Sequence, residues 1–157
     1  MAEPTQNPQS NLKFRVVSQF IKDFSFENPI APNLAQIKTQ PNISINVNVD
    51  VITLEDNYYQ VNLTFNCKSD SDNKTLFICE LTYSGVFNIE NIQDDYVELM
   101  LYIECPRLLF PFARSIISKT TQDGGFPPLF IDPIDFAALY QYNMGKTVTP
   151  PKENVTN

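Results

Sequence analysis

Ile43, Ile45, Val47, Val49 and Val51 alternate with Asn42, Ser44, Asn46, Asn48 and Asp50. After Glu55-Asp56-Asn57 the alternation resumes, with Tyr59, Val61, Leu63, Phe65 and Cys67 set against Gln60, Asn62, Thr64, Asn66 and Lys68. Side chains of a strand point to opposite faces in turn, so a period of two sustained this long predicts strands with one buried and one wet face. The acidic turn between them makes the pair an antiparallel hairpin.

The flanking segments are less regular. From Phe14 the even positions Phe14, Val16, Phe20, Phe24 and Phe26 are apolar, but Ser18, Lys22, Val17 and Ile21 break the frame, so a first strand is predicted with an imperfect pattern. It stops at Glu27-Asn28-Pro29, and Pro32 and Pro41 hold residues 28–41 extended and irregular. Past the turn Ser69–Asn73, a fourth strand is predicted from Thr75 to about Tyr83. Its odd positions Phe77, Cys79, Leu81 and Tyr83 continue the buried side. Its even positions begin with Leu76 and Ile78 before Glu80, two apolar residues on an otherwise polar face. They read either as a local edge contact or as a small protein-binding patch edged by acid.

Beyond Gly85 the period changes to that of a helix. Asp94 and Asp95 suit a helix start, where the dipole favours negative charge, and Tyr96, Leu99, Met100 and Ile103 recur at helical spacing. Cys105-Pro106 begins a new turn or a kink, and Arg107–Thr121 is helical again although Pro111 lies in it. Gly124-Gly125 stops that helix, and Phe126–Phe130 forms a rigid apolar loop. With Asp132 as N-cap, Pro133 as first residue and Asp135 at the third position, a last helix is predicted from Pro133 to about Met144, stopped by Gly145. Four strands followed by helices, without strand–helix alternation, give the α+β class: an antiparallel sheet with helices on one face. The expected organisation is a disordered 1–10, one domain over 11–145 and a flexible tail over 146–157.

Composition narrows the function. The 157 residues carry a net charge of −7, which argues against nucleic acid and fits a soluble protein that meets a basic partner. No histidine is present, which removes Ser-His-Asp and Cys-His catalysis and histidine-ligated metals. The four glycines make no phosphate-binding loop, and Cys67, Cys79 and Cys105 make neither a zinc site nor a disulfide framework, so a reducing compartment is expected. The N-terminal residues have no apolar secretory core, and no apolar run is longer than that of Leu99–Ile103, which is far too short to span a bilayer. The triplets at Asn42, Asn62, Asn73 and Asn154 that match a glycosylation pattern are read as chance.

Candidate chemistry is correspondingly thin. Asp94/Asp95 and Glu55/Asp56 stand where acids are ordinary, at a helix start and a turn. Cys105 lacks an activating histidine and reads as a structural thiol, and Arg107 and Arg114 suit an anion site or a helix surface equally well. No catalytic residue, metal or cofactor is expected. The twelve Phe and seven Tyr are more telling, since Phe110, Phe112, Phe126, Phe130, Phe136, Tyr140 and Tyr142 fall outside the strands. One small domain has little room to bury all of them, which points to an oligomer interface or an apolar groove.

Three collinear segments resemble the SecB family of export chaperones: Lys22–Pro29 with Ala31-Pro32, Cys105–Arg114 (CPRLLFPFAR), and Gly124–Leu129 (GGFPPL) with Pro133–Tyr140 (PIDFAALY). The resemblance spans about residues 14–142. It implies a cytoplasmic, ATP-independent holding chaperone, a homotetramer built as a dimer of dimers. Such a protein keeps unfolded preproteins competent for translocation and delivers them to the SecA motor, without inserting in the membrane. By the same resemblance, Asp23, Glu27, Ile78 and Glu80 are the SecA-binding positions, and Cys79, Leu81 and Tyr83 support assembly. The client groove lies between the Pro-rich loop, the second strand and the last helix, with Phe26, Phe126, Phe136 and Tyr140 as its aromatics. Thr39 and Ala35 stand where relatives carry Trp and another aromatic, which implies a shallower groove or a different client preference. The tail holds one acid, Glu153, where family tails can hold more. A second expectation, of a different class, is a SecB-like oligomeric adaptor or antitoxin-linked chaperone with one dedicated partner.

Overall fold

The computed structural model describes residues 11–145 and a short strand at 155–156. Strands β1 (Lys13–Glu27), β2 (Asn42–Thr53), β3 (Tyr58–Ser71) and β4 (Lys74–Glu90) form one antiparallel sheet in the order β1-β4-β3-β2. Helices α1 (Asp94–Leu99) and α2 (Cys105–Asp123), the short strand β5 (Phe130–Ile131) and helix α3 (Phe136–Asn143) follow. The α+β class with helices on one sheet face is the one expected. Strand β6 (Val155–Thr156) pairs antiparallel with β5. The expected disorder of 1–10 and flexibility of 146–154 lie outside the described residues.

The hairpins close as the turn chemistry dictates. Asp56 and Asn57 take φ of 57° and 64°, and Asp72 and Asn73 take 50° and 61°, in the left-handed region that Asn and Asp tolerate best among side-chain-bearing residues. The β2–β3 register is unbroken from Asn42↔Asp70 to Thr53↔Tyr59 and puts Val49 opposite Leu63 and Val47 opposite Phe65 on the inner face.

The broken frame of β1 has a simple cause. Its register against β4 slips between Val16 and Ser18 and again between Ile21 and Asp23, so Val17 and Lys22 are extra residues at two bulges. Each bulge shifts the alternation by one. Phe14, Val16, Gln19, Ile21, Phe24 and Phe26 therefore share the inner face, and Ser18, Phe20, Asp23, Ser25 and Glu27 share the outer one. A third slip, between Ser69 and Asp70, leaves Leu76 without a cross-strand partner, and its side chain is buried at 2% exposure, a core residue rather than part of a surface patch.

Strand β4 runs seven residues beyond the expected end near Tyr83. Gly85 does not interrupt it; a Cβ there would stand 2.8 Å from Phe87 and 2.9 Å from Leu109, so the missing side chain is what lets α2 settle on the sheet. Helix α2 lies over β3 and β4, where Phe110 meets Phe65 at 6.2 Å and Phe136 at 6.2 Å between ring centroids. Strand β1 lies beyond the helix, so inner-face Val16, Ile21 and Phe24 stay exposed.

One helix boundary follows expectation and one differs. Helix α2 begins at Cys105 with Pro106 in its first turn, and a π-helical turn, Met100–Glu104, joins it to α1. Widening the turn there accommodates a residue with no backbone N–H to donate and a ring that crowds the preceding turn. The last helix begins at Phe136, not Pro133, because Asp135 is the N-cap: its backbone is extended and its carboxylate accepts the Ala138 N–H at 3.0 Å.

Candidate protein-binding surfaces

The bulges of β1 bring one set of predicted residues together. Glu27 lies directly opposite Ile78, Ser25 opposite Glu80 and Asp23 opposite Thr82, all on the outer sheet face. Asp23, Glu27 and Glu80 are exposed and Ile78 is half-buried. Among the described residues none of the three carboxylates has an ion-pair partner; Lys68, opposite Ile78 on β3, is drawn to Asp70 at 3.7 Å. The face thus presents three uncompensated negative charges around one aliphatic side chain, which suits a basic surface.

The predicted groove aromatics divide between two clusters. Phe26, at the end of β1, stacks on Phe77 at 5.8 Å, and Phe77 meets Phe126 at 5.0 Å. The glycine pair makes this possible. A Cβ on Gly124 would lie 2.6 Å from the Phe26 ring, one on Gly125 would lie 2.6 Å from Leu34, and Asn28 Nδ2 donates to the Gly124 carbonyl at 2.9 Å. The Pro-rich loop therefore docks against Gly124-Gly125, a role that the pattern of a helix stop does not reveal. Tyr140 belongs to the second cluster, 5.5 Å from Tyr102, where a cavity of about 230 Å³ is lined by Asn48, Val49, Leu139, Asn143 and Met144 with the two tyrosines. Burial raises both tyrosine hydroxyls above their ordinary range; Asp50 and Glu98 push Tyr102 further, and Glu98 also pushes Tyr140 up. Both phenols are neutral donors at physiological pH.

Phe126 and Phe136 are buried, at 8% and 1% exposure, whereas Phe26 and Tyr140 are half-buried and reach the surface. Phe77, Tyr102, Glu98 and Met144 are site residues that the sequence did not single out, since only tertiary packing places them beside the predicted aromatics. Thr39 shares a hydrogen bond with Ser71 at the end of β3, and Ala35 is exposed in a short 3₁₀ turn, Leu34–Gln36.

Cys79, Leu81 and Tyr83 lie on the inner face, opposite Phe26, Phe24 and Ile21, and are buried within the protomer. Tyr83 stacks on exposed Phe112 at 6.0 Å and donates to Gln19 at 3.2 Å. The three residues of β4 lie beside the exposed Ile21 and Phe24 on the same sheet face.

All three cysteines are free and buried. Burial first, and then Glu80, pushes the Cys79 thiol up to about 11; burial and Glu104 push Cys105 higher still. A raised thiol favours the folded state while both states are protonated, so this contribution is complete below pH 9.0 and fades as pH rises through about 11. An aromatic disulfide reagent at pH 8 should label none of the three thiols until denaturant is added. Rapid native labelling of Cys79 would mean that β4 opens readily.

One aromatic cavity, one packed aromatic cluster that reaches the surface at Phe26 and an acid-edged sheet face suit the binding of other chains, and comparison places the protein among chaperones rather than enzymes. The chain belongs to the SecB family: the family model for preprotein translocase subunit SecB matches residues 6–147. It is 54% identical over 129 residues to the protein-export protein SecB of Bartonella quintana (strain Toulouse), covering 82% of each chain. It is 49% identical over 143 residues to that of Rhodopseudomonas palustris (strain BisB5), covering 90% of this chain and 88% of the relative. Its fold is also that of the Mycobacterium tuberculosis Rv1957 SecB-like chaperone, solved with a ChAD peptide from the Rv1956 HigA1 antitoxin. The TM-score is 0.65 at 12% identity, over 77% of this chain and 90% of that one. The chain is thus a SecB-family chaperone of protein export. No described helix is long and apolar enough to cross a membrane.

Proposed function

We propose that the chain is an ATP-independent holding chaperone of the cytoplasm, assembled as a homotetramer, that keeps unfolded preproteins translocation-competent and passes them to SecA. The observation that carries this reading is the separation of two surfaces of different chemistry. Asp23, Glu27, Ile78 and Glu80 form the SecA-binding face. Phe26 with Phe77 and Phe126, and Tyr140 with Tyr102, hold client side chains, and Phe136 supports α3 beneath them. The buried rings of Phe126 and Phe136 contribute once α3 and the Phe-Pro-Pro loop shift to admit a chain. Strand β2 adds a backbone rail: it ends the sheet, and its register has no bulge and its sequence no proline or lysine to guard the edge. Hydrogen bonding to such an edge reads no side chains, which suits clients of many sequences. The exposed strip of Val16, Ile21, Phe24 and Phe112, beside Cys79, Leu81 and Tyr83, is the assembly surface.

The test is suppression of aggregation of an unfolded precursor by stoichiometric protein without nucleotide. Suppression that is lost once the client has folded is the expected result, over a panel of unrelated clients. Failure across the panel would reject general holding and favour a dedicated partner.

A further inference from the structure

Strand β5 is only two residues long, yet it occupies the stretch between the two buried groove aromatics, Phe126 and Phe136. Ile131 is anchored in the core, while Phe130 is exposed and lies under the Arg114 guanidinium, 5.9 Å from the ring centroid. Its backbone edge pairs antiparallel with the chain's own end, Phe130 opposite Thr156 and Ile131 opposite Val155. The four-stranded sheet makes no pairing with β5.

We propose that the Phe130–Ile131 edge is a strand-acceptor site, filled by Val155–Thr156 when no client is present and yielded to the backbone of an extended client segment. The proposal rests on the holding-chaperone reading for its client and on the β5–β6 pairing for its occupant. A two-residue pairing would not persist between separate molecules. Here only nine residues separate Gly145 from Val155, so the tail strand competes as an intramolecular ligand at high effective concentration. The contact is made by backbone groups, so a client of almost any sequence in extended form can replace it. A site filled most of the time by its own tail binds client more weakly in proportion to the unfilled fraction.

Three chains test this: the complete protein, a deletion of 146–157, and V155P/T156P, which keeps tail length and charge but removes two backbone donors. The probe is permanently unfolded, reduced and carboxymethylated α-lactalbumin. Deletion and V155P/T156P should each tighten binding by about 3–10-fold. The Phe130 and Ile131 amides, followed by hydrogen exchange, should lose protection in both variants and regain it with probe bound. A synthetic peptide of residues 146–157 should weaken probe binding to the deletion variant. Tightening by deletion alone would assign the effect to tail charge or bulk and overturn the proposal, as would amide protection that is equal in all three chains. If the complete protein ignores the probe, the holding reading fails, while the amide comparison still decides whether the tail occupies β5.

Discussion

Phe65→Ala should destabilise the protein by about 3–5 kcal/mol, the range for emptying a fully buried phenylalanine site. Phe65 is wholly buried at the centre of β3, opposite Leu81 and Val47, and its ring meets Phe110, which in turn meets Phe136 at the start of α3. One ring therefore couples the sheet, α2 and the last helix, and the cavity it leaves cannot be filled by collapse of a single neighbour. Against a total stability of order 5–15 kcal/mol this is a large fraction. With a urea slope of about 2 kcal/mol/M the unfolding midpoint should fall by about 2 M, whereas Leu108→Ala, on the exposed side of α2, should move it by less than about 0.3 M. Equal small shifts for both variants would mean that the helical layer does not depend on this aromatic chain.

Phe65 was legible as core from alternation alone, and so was most of the sheet. Strands β2 and β3 repeat with period two because one face is packed and the other wet, and no bulge disturbs their mutual register. Strand β1 was harder for a local reason: Val17 and Lys22 are each one residue too many, and a bulge reverses the face of everything after it. The extent of β4 is not legible locally because glycine ordinarily weakens a strand, while Gly85 is kept by the approach of Leu109, a contact separated from it by 24 positions in the chain. Local chemistry also misplaced the start of α3. Asp132 and Asp135 are equally good caps on paper, and it is the Asp135 carboxylate that accepts the Ala138 N–H.

The candidate surfaces were legible to different degrees for the same reason. The acidic face comes from residues on two neighbouring strands, so once the fold pairs β1 with β4 its members must meet. The groove aromatics come from β1, a loop and α3, and nothing in their spacing says that Phe26 and Phe126 share Phe77 while Tyr140 turns instead to Tyr102. Family resemblance supplied their names, and packing decided their company.

The difference in chemistry between the two surfaces supports the second large prediction. Glu27→Lys with Glu80→Lys should weaken binding to SecA by about 10–100-fold at low salt, because two carboxylates that attract a basic partner become two cations that repel it. Both side chains are exposed and without ion pairs among the described residues, so their reversal strands no buried charge and should leave thermal stability nearly unchanged. The loss should shrink as ionic strength rises, since the screening length contracts from about 10 Å at 0.1 M to about 3 Å at 1 M. Client binding should stay within about twofold, because Glu27 and Glu80 point to the outer face while Phe26 and Phe77 line the inner one; surface charges reversed at that remove act chiefly through a screened field. Titrating SecA and an unfolded client separately against the double variant reads both effects. A parallel fall of the two affinities would show that one surface serves both partners. Unchanged SecA binding would move that partner off the β1–β4 face altogether.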